Sequence, residues 1–192
     1  NPIAINRGLA THEMAVSILE EYRRRREETA AFAEWFSIDP PFPNGVFGDE
    51  KLKEGTYVNG GIMPLTGGEL ARAAFEHGLE EYGRDTLDQY RQMIEETGET
   101  YLWYFPDGTP STAEASTSPE ATPTDGWGSS AMLYAFIEGL CGIEDVAHSF
   151  NKVRCAPRWV TAGEPEASVE ISYAASGKSF AYDFRHDEDR KL

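Results

Sequence analysis

Apolar residues recur at helical spacing along the first part of the chain. From about residue 9 to residue 36 they fall three or four positions apart, first at Ala15, Ile18, Leu19 and Tyr22 and again at Ala30, Phe32, Ala33 and Phe36. Thr11 is a candidate N-cap, and Asp39-Pro40-Pro41 is a strong helix terminator. The pattern therefore predicts one long helix ahead of that terminator.

Three further helices are predicted after a stretch rich in Pro and Gly, residues 37–62. One runs from Pro64 to Tyr82, stopped by Gly83, and the next from Asp85 to Gly98. Their short connection indicates an antiparallel hairpin. The last, from Trp127 to Leu140, is apolar on nearly every side, which is typical of a buried helix. Residues 101–125, ahead of it, show no periodicity and are predicted to form a long loop.

The hydrophobic period changes to two near the C-terminus. Apolar and polar residues alternate over 169–173 and again over 180–184, on either side of Ser176-Gly177. This pattern predicts a β-hairpin, and a further strand, broken by Pro157, is predicted within Lys152 to Trp159. The expected fold is mainly α, with helical hairpins over 1–148, an antiparallel β segment over 149–186 and a charged tail over 187–192.

Charge narrows the range of partners. The net charge is −16, from 33 acidic and 17 basic residues, so nucleic acid and anionic membrane are not expected partners. The arginine run Arg23–Arg26 stands among glutamates four positions away, which indicates ion pairs on a solvated helix rather than a basic patch. The most apolar run, Ala131 to Leu140, is too short to span a membrane.

Cysteine and histidine usage predicts neither a metal nor a cofactor. Cys141 and Cys155 form no CxxC motif, and we expect free thiols, with a disulfide as the alternative. The four histidines lack the spacing of metal ligands. No signal peptide is visible, and because the chain begins at Asn1 rather than Met, we expect a preceding part to be missing. The location stays open, with the cytoplasm as the expectation.

Two motifs resemble the six-hairpin glycosidases, the superfamily of glucoamylases, trehalases and α-rhamnosidases. The run Tyr57-Val58-Asn59-Gly60-Gly61-Ile62-Met63-Pro64 resembles their loop-and-helix entry. Asp125-Gly126-Trp127-Gly128-Ser129-Ser130-Ala131, leading into residues 137–143, resembles their final barrel helix, and residues 153–159 resemble the β-rich segment that follows. The resemblance covers the chain from about residue 55 onward. It implies the last part of an (α/α)6 toroid.

The resemblance also implies a reaction. Two carboxyl groups would hydrolyse a glycosidic bond, one as general acid and one as general base. The base would come from this chain and the acid from the missing part, so this fragment alone is expected to be inactive. Carbohydrate is the expected partner, and the apolar helix faces left open by the missing helices are expected to favour self-association.

Four carboxylates are candidates for the base. Glu114 is preferred because it precedes the Gly-Trp-Gly helix entry, although loop carboxylates are mostly solvated. For Asp125 an N-cap is the commoner explanation. Glu138 and Glu69 are more often structural glutamates of their helices.

The substrate contacts that the resemblance suggests lie in the same two motifs. We predict that Tyr57, Asn59, Gly60, Gly61 and Trp127 contact sugar, because amides bind hydroxyls and aromatic faces stack on sugar rings. We further expect Asn59, Glu114 and Trp127 to face one depression. Two alternatives stay open: a sugar phosphorylase, which would need a basic cluster that neither motif has, and a non-catalytic carbohydrate-binding or assembly module.

Overall fold

The computed structural model describes residues 1–116 and 123–187. In this part of the chain the helices are α1 (Pro2–Asn6), α2 (His12–Glu28), α3 (Pro64–Glu76), α4 (Glu80–Thr97) and α5 (Gly126–Tyr134). A π-helical segment (Ala135–Leu140) continues α5, and a 3-10 turn (Ala113–Ala115) interrupts the loop before it. The strands are β1 (Ile143–Asp145), β2 (Val153–Cys155), β3 (Glu166–Tyr173) and β4 (Lys178–Arg185).

The first long helix is shorter than predicted. The Thr11 hydroxyl accepts the backbone N–H of Met14, as expected of the N-cap, but α2 ends at Glu28. The apolar residues beyond it enter the core in a non-helical segment, where Ala33 and Trp35 are buried. The segment need not be helical, because its backbone groups form hydrogen bonds with other parts of the chain. The Phe32 N–H donates to the Pro106 carbonyl, and the Trp35 carbonyl accepts the Met63 N–H.

The predicted hairpin of two helices is present, with its turn placed earlier. The chain reverses between Glu76 and Glu80, where Gly78 takes a left-handed φ of +84°. Gly83 does not stop a helix. It lies inside α4, and a Cβ at this position would come within 3.0 Å of the Phe75 ring of α3. Gly83 therefore lets α4 pack closely against α3.

Helices α3 and α5 lie side by side and run in the same direction. A Cβ on Gly128 would lie 2.5 Å from Pro64 Cβ, one on Gly68 would lie 2.4 Å from the Ala131 carbonyl carbon, and one on Gly139 would lie 2.4 Å from the Phe75 ring. The contacting positions thus move toward the C-terminus of both helices in step, which shows that the helices are parallel. Because glycines stand at the crossing points, the two backbones come closer than side chains would allow.

The apolar last helix is buried on one side only, which corrects the prediction of a wholly buried helix. Its small face packs against α3, and Met132 and Ala135 are buried. On the other side Leu133 is 58% exposed and Phe136 is 41% exposed. The sequence of a helix that is apolar on all sides does not show which side other elements cover. Among the described residues, no element covers the side that carries Leu133 and Phe136.

The β region consists of two small antiparallel sheets, so the fold combines helices with strands and is not simply mainly α. Strands β3 and β4 form the predicted hairpin, with Val169 opposite Tyr182 and Ile171 opposite Phe180. Strand β2 lies within the predicted strand and pairs with β1, which the sequence pattern did not predict. The charged tail lies, from residue 188 onward, outside the described residues.

The β3–β4 hairpin is held to the end of the π-helical segment. Trp159 Nε1 donates to the Tyr182 hydroxyl at 2.8 Å, and that hydroxyl donates to the Cys141 carbonyl at 2.7 Å. Both cysteines are free, as expected, with Cys141 buried and Cys155 exposed. The chain of hydrogen bonds joins the sheet to the helical core.

The charged face of α2 forms the ion pairs that the sequence indicates. Arg24 pairs with Glu21 and Glu28, and Arg25 also pairs with Glu21. Glu20 pairs with Arg23 instead of Arg24. None of the described helices is both long enough and apolar enough to cross a membrane.

Substitution of Gly68 tests the contact between α3 and α5. Gly68→Ala should lower the free energy of unfolding by about 1–3 kcal/mol, because the added methyl overlaps the α5 backbone and forces the helices apart. Gly126→Ala is the matched control, since a Cβ there meets nothing within 4 Å, and it should be nearly neutral. Urea unfolding measures both. Equal stability of the two variants would contradict the packing described.

Candidate functional site

The most unusual side chain in the described structure is Glu34, which lies in the segment after α2. Its neighbours Ala33 and Trp35 are buried, and Glu34 itself is 2% exposed. The Trp35 ring fills the space beside Gly67 of α3, where a Cβ would come within 2.5 Å of it. Apolar neighbours on both sides thus carry a carboxyl group into the interior.

The two oxygens of the Glu34 carboxyl have different surroundings. Oε1 accepts a short hydrogen bond from the Tyr82 hydroxyl of α4. Oε2 is buried and has no hydrogen-bond partner among the described residues. Burial raises the pKa of Glu34, although the Tyr82 hydrogen bond and the charge of Arg26 act in the opposite direction. A proton on Oε2 is therefore favoured at higher pH than in an ordinary glutamate.

Glu34 lines a cavity of about 510 Å³ between α2 and the segment 36–39. This volume is of the size that small-molecule sites occupy, roughly 300–1,000 Å³. Its lining is largely polar and consists of Asn1, Ser17, Ile18, Glu21, Tyr22, Arg25, Glu34, Phe36, Ser37, Ile38 and Asp39. We refer to it as the Glu34 pocket.

Ionised groups also line this pocket. Arg25 donates to Glu21 at 2.8 Å and to Asp39 at 2.7 Å. Hydrogen bonds from Arg24 and Arg25 lower the pKa of Glu21 to about 2. The pocket is therefore lined by one carboxyl group whose burial favours the protonated form and by another that two arginines hold in the ionised form.

Ser37 connects the pocket to the loop that the sequence singled out. Its hydroxyl donates to the Tyr57 carbonyl at 2.7 Å and accepts the Gly60 N–H at 3.0 Å. Because Ser37 also lines the Glu34 pocket, the loop 57–61 supports one wall of the pocket. The predicted substrate loop and the pocket are therefore neighbours.

Asn59 organises that loop from inside. It is fully buried, and its Oδ1 accepts the Phe42 N–H at 2.8 Å. Its Nδ2 donates to the carbonyls of Phe42 at 3.0 Å and Leu52 at 3.2 Å. With its amide occupied and no exposed surface, Asn59 does not face the predicted depression.

The two glycines beside Asn59 make room for the protein's own atoms. Gly60 and Gly61 are buried, and a Cβ on Gly61 would lie 2.7 Å from the Tyr57 carbonyl oxygen and 2.9 Å from the Trp103 ring. Tyr57 takes a strained φ of 35° and places its ring 6.2 Å from that of Trp103. Of the predicted sugar contacts in this loop, Tyr57 alone keeps partial exposure.

Glu114 and Trp127 are both exposed. Glu114 stands on the 3-10 turn, whose neighbourhood is linked to Lys51 through the carbonyls of Ala113 at 3.5 Å and Ser116 at 3.4 Å. Trp127 is 65% exposed at the start of α5. Glu114 thus lies beside the loop that Asn59 holds, and Trp127 lies beside the start of α3.

The alternative carboxylates each have a structural partner. Glu69 accepts hydrogen bonds from Asn6 and Arg7. Asp125 caps α5 by accepting the Gly128 N–H at 2.7 Å. Glu138 lies 3.6 Å from Arg72, whose guanidinium is 4.4 Å above the Tyr134 ring.

Sequence reasoning missed Glu34 because its neighbours were read as a helical stripe. The available signal was a single charged residue inside the run Phe32-Ala33-Glu34-Trp35-Phe36. A carboxyl surrounded by large apolar residues must be either exposed or buried at a cost. That cost makes such a residue a candidate for function.

No group of three or more potential metal ligands occurs in residues 1–116 and 123–187. His12 and His77 lie with their Nδ1 atoms 2.9 Å apart, but this pair is smaller than a group of three ligands.

Comparison of the chain with protein-family models finds no match, and comparison with curated proteins finds none either. The functional argument therefore depends on the geometry of the site.

The raised pKa of Glu34 predicts a pH dependence of stability. A glutamate whose pKa is raised on folding stabilises the protein while it is protonated, below the unfolded value near 4.5, and that contribution is lost as pH rises through the folded pKa. Glu34→Gln should remove this loss, so its stability relative to the wild type should increase with pH. Thermal melts between pH 4 and 8 measure it. Glu27→Gln, at an exposed position of α2, is the control, and identical pH profiles for all three proteins would contradict the prediction.

Asn59 should be required for stability. Asn59→Ala leaves three backbone groups in the interior without partners, and we expect a loss of about 2–3 kcal/mol. Asn44→Ala, which removes an exposed bond to the Glu54 N–H, should cost about 1 kcal/mol or less. Urea unfolding compares them. A neutral Asn59→Ala would show that the amide is free for another role.

Proposed function

We propose that the chain belongs to a glycoside hydrolase in which Glu34 is the proton donor, in place of the expectation that the general acid lies outside this chain. The observation that carries this proposal is the state of the Glu34 carboxyl. It is buried, one oxygen is held by Tyr82, the other is unpartnered among the described residues, and it lines a polar pocket. A general acid needs such a raised pKa and a proton that is not already committed.

The arrangement of the helices supports the proposal that the chain forms part of an α/α toroid. Helices α3 and α5 are parallel, and α4 returns in the opposite direction along α3. The long connections 29–63 and 98–125 both lead into the N-termini of the parallel helices, and they pair through Ile62 and Tyr104. Loops gathered at one end of parallel helices are what the resemblance to six-hairpin glycosidases implies.

The proposed chemistry starts with the proton on Glu34 Oε2. Glu34 would give it to the glycosidic oxygen as the bond to the anomeric carbon breaks, while Tyr82 stabilises the carboxylate that forms. A second carboxylate must remove a proton from water, and the candidates are Asp39 in the pocket and the predicted base Glu114.

One observation favours a second candidate, a non-catalytic carbohydrate-binding module. Phe42 and Phe47 are 44% and 42% exposed and lie edge to face 5.6 Å apart, on the loop that Asn59 holds. Exposed aromatic faces can stack on sugar rings. Sugar binding by these two rings requires no general acid, so binding can be tested separately from hydrolysis.

The test compares Glu34→Gln with the wild type, both in the full-length protein, on two kinds of glycoside. On oligosaccharides, whose leaving group needs a proton, kcat should fall about 10²–10⁴-fold. On dinitrophenyl glycosides, whose leaving group departs as an anion, the fall should be small. Wild-type activity should also decline as pH rises through the raised pKa of Glu34, because the acid must be protonated.

Glu27→Gln is the activity control and should match the wild type. An equal loss on both kinds of substrate would contradict the role as proton donor. If the wild type hydrolyses no member of a panel of α- and β-glycosides, the hydrolase proposal fails. Oligosaccharide binding by calorimetry, lost in Phe42→Ala, would then favour the binding module.

A further inference from the structure

An apolar groove of about 520 Å³ runs between α4 and α5 and shares no lining residue with the Glu34 pocket. Its sides are formed by Leu87 and Ile94 of α4 and by Met132 and Leu133 of α5, with Phe136 at the start of the π-helical segment. Leu133 and Phe136 are 58% and 41% exposed. Exposed apolar surface of this kind is unfavourable in water unless something covers it.

A stripe of alternating charge borders the groove. Arg84, Asp88, Arg91 and Glu95 line it, and their spacing of four, three and four residues puts them on one face of α4. The order of charges is plus, minus, plus, minus. When the helix is reversed, each position meets its opposite: Arg84 faces Glu95, and Asp88 faces Arg91.

We propose that two copies of the chain associate across this groove, with α4 of one copy antiparallel to α4 of the other. The two-fold axis would pass between residues 89 and 90. Each copy would contribute the same surface, as a closed dimer requires, with Leu133 and Phe136 covered by the second copy. The proposal goes beyond the proposed function and does not depend on it.

The charge stripe selects a second copy over other occupants of the groove. A stripe of one sign would match a ligand or peptide of the opposite charge, whereas this stripe is complementary to itself in one orientation only. Burial of the apolar groove would drive association, and the charges would fix its direction. A groove of this size is small for an interface, so we expect a dissociation constant on the order of micromolar.

Arg84 is already engaged outside the stripe, with Asp85 and with the Ala162 carbonyl at 2.7 Å, whereas the ion pairs of the other three charges do not oppose the exchange. Arg91 pairs with Asp88 and Glu95 within the helix, and all three side chains are about half exposed, at 57%, 48% and 61%. Exposed pairs of this kind contribute little. The same side chains can therefore turn to the second copy without a large loss within the first.

The experiment measures the oligomeric state of the chain by sedimentation equilibrium from low to high micromolar concentration. The wild type should be a reversible dimer. Leu133→Asp, at an exposed position, should abolish it by placing a charge in the apolar groove. Arg91→Glu and Asp88→Arg should each weaken it at least about 10-fold, because each places like charges opposite one another twice.

Mixing the two charge variants tests the orientation. In a heterodimer the glutamate introduced at position 91 of the first variant would face the arginine introduced at position 88 of the second. The unchanged Asp88 of the first would likewise face the unchanged Arg91 of the second, so dimer should reappear. Arg23→Glu, an exposed reversal on α2, should leave the dimer unchanged, and circular dichroism should show that every variant folds. A monomeric wild type, a dimer insensitive to Leu133→Asp, or no rescue on mixing would overturn the proposal.

Discussion

The close approach of α3 and α5 is the contact on which the arrangement of the rest depends. Glycines at 68, 128 and 139 remove the side chains that would hold the helices apart. Parallel packing then brings the N-termini of both helices to one end, where the long loops before them meet. The Trp35 carbonyl accepts the Met63 N–H in this layer, and the Trp35 ring packs beside Gly67. Because Trp35 is fixed in this way, Glu34 is held in the interior beside Tyr82.

The same contact explains why one face of the last helix is open. Gly128 and Gly139, which permit close packing, lie on the side toward α3, whereas Leu133 and Phe136 are exposed. A helix can bury a narrow glycine face completely and still expose half of its apolar surface. The open surface beside α4 follows directly from the way in which the core is built.

Features decided by local interactions could be predicted from the sequence, while those decided by distant contacts could not. The caps Thr11 and Asp125 depend on hydrogen bonds within three residues, and both are formed as expected. The β3–β4 hairpin follows from alternation around a turn. In contrast, the end of α2 and the place of Gly83 depend on partners in other loops and helices. The stripe that continued past Glu28 reflects burial of the segment, and burial alone does not specify helix.

The hydrogen bonding of buried polar groups distinguishes structural from functional candidate residues better than resemblance to a motif does. Asn59 stood in a motif, yet its amide is fully engaged by Phe42 and Leu52, so its burial is explained by the loop it holds. Glu34 stood in no motif, and only one of its oxygens has a partner among the described residues. A satisfied buried amide stabilises the fold, whereas a half-satisfied carboxyl costs stability. A sequence can retain such a cost when the carboxyl has a reactant to meet, and the polar pocket beside Glu34 provides the space for one.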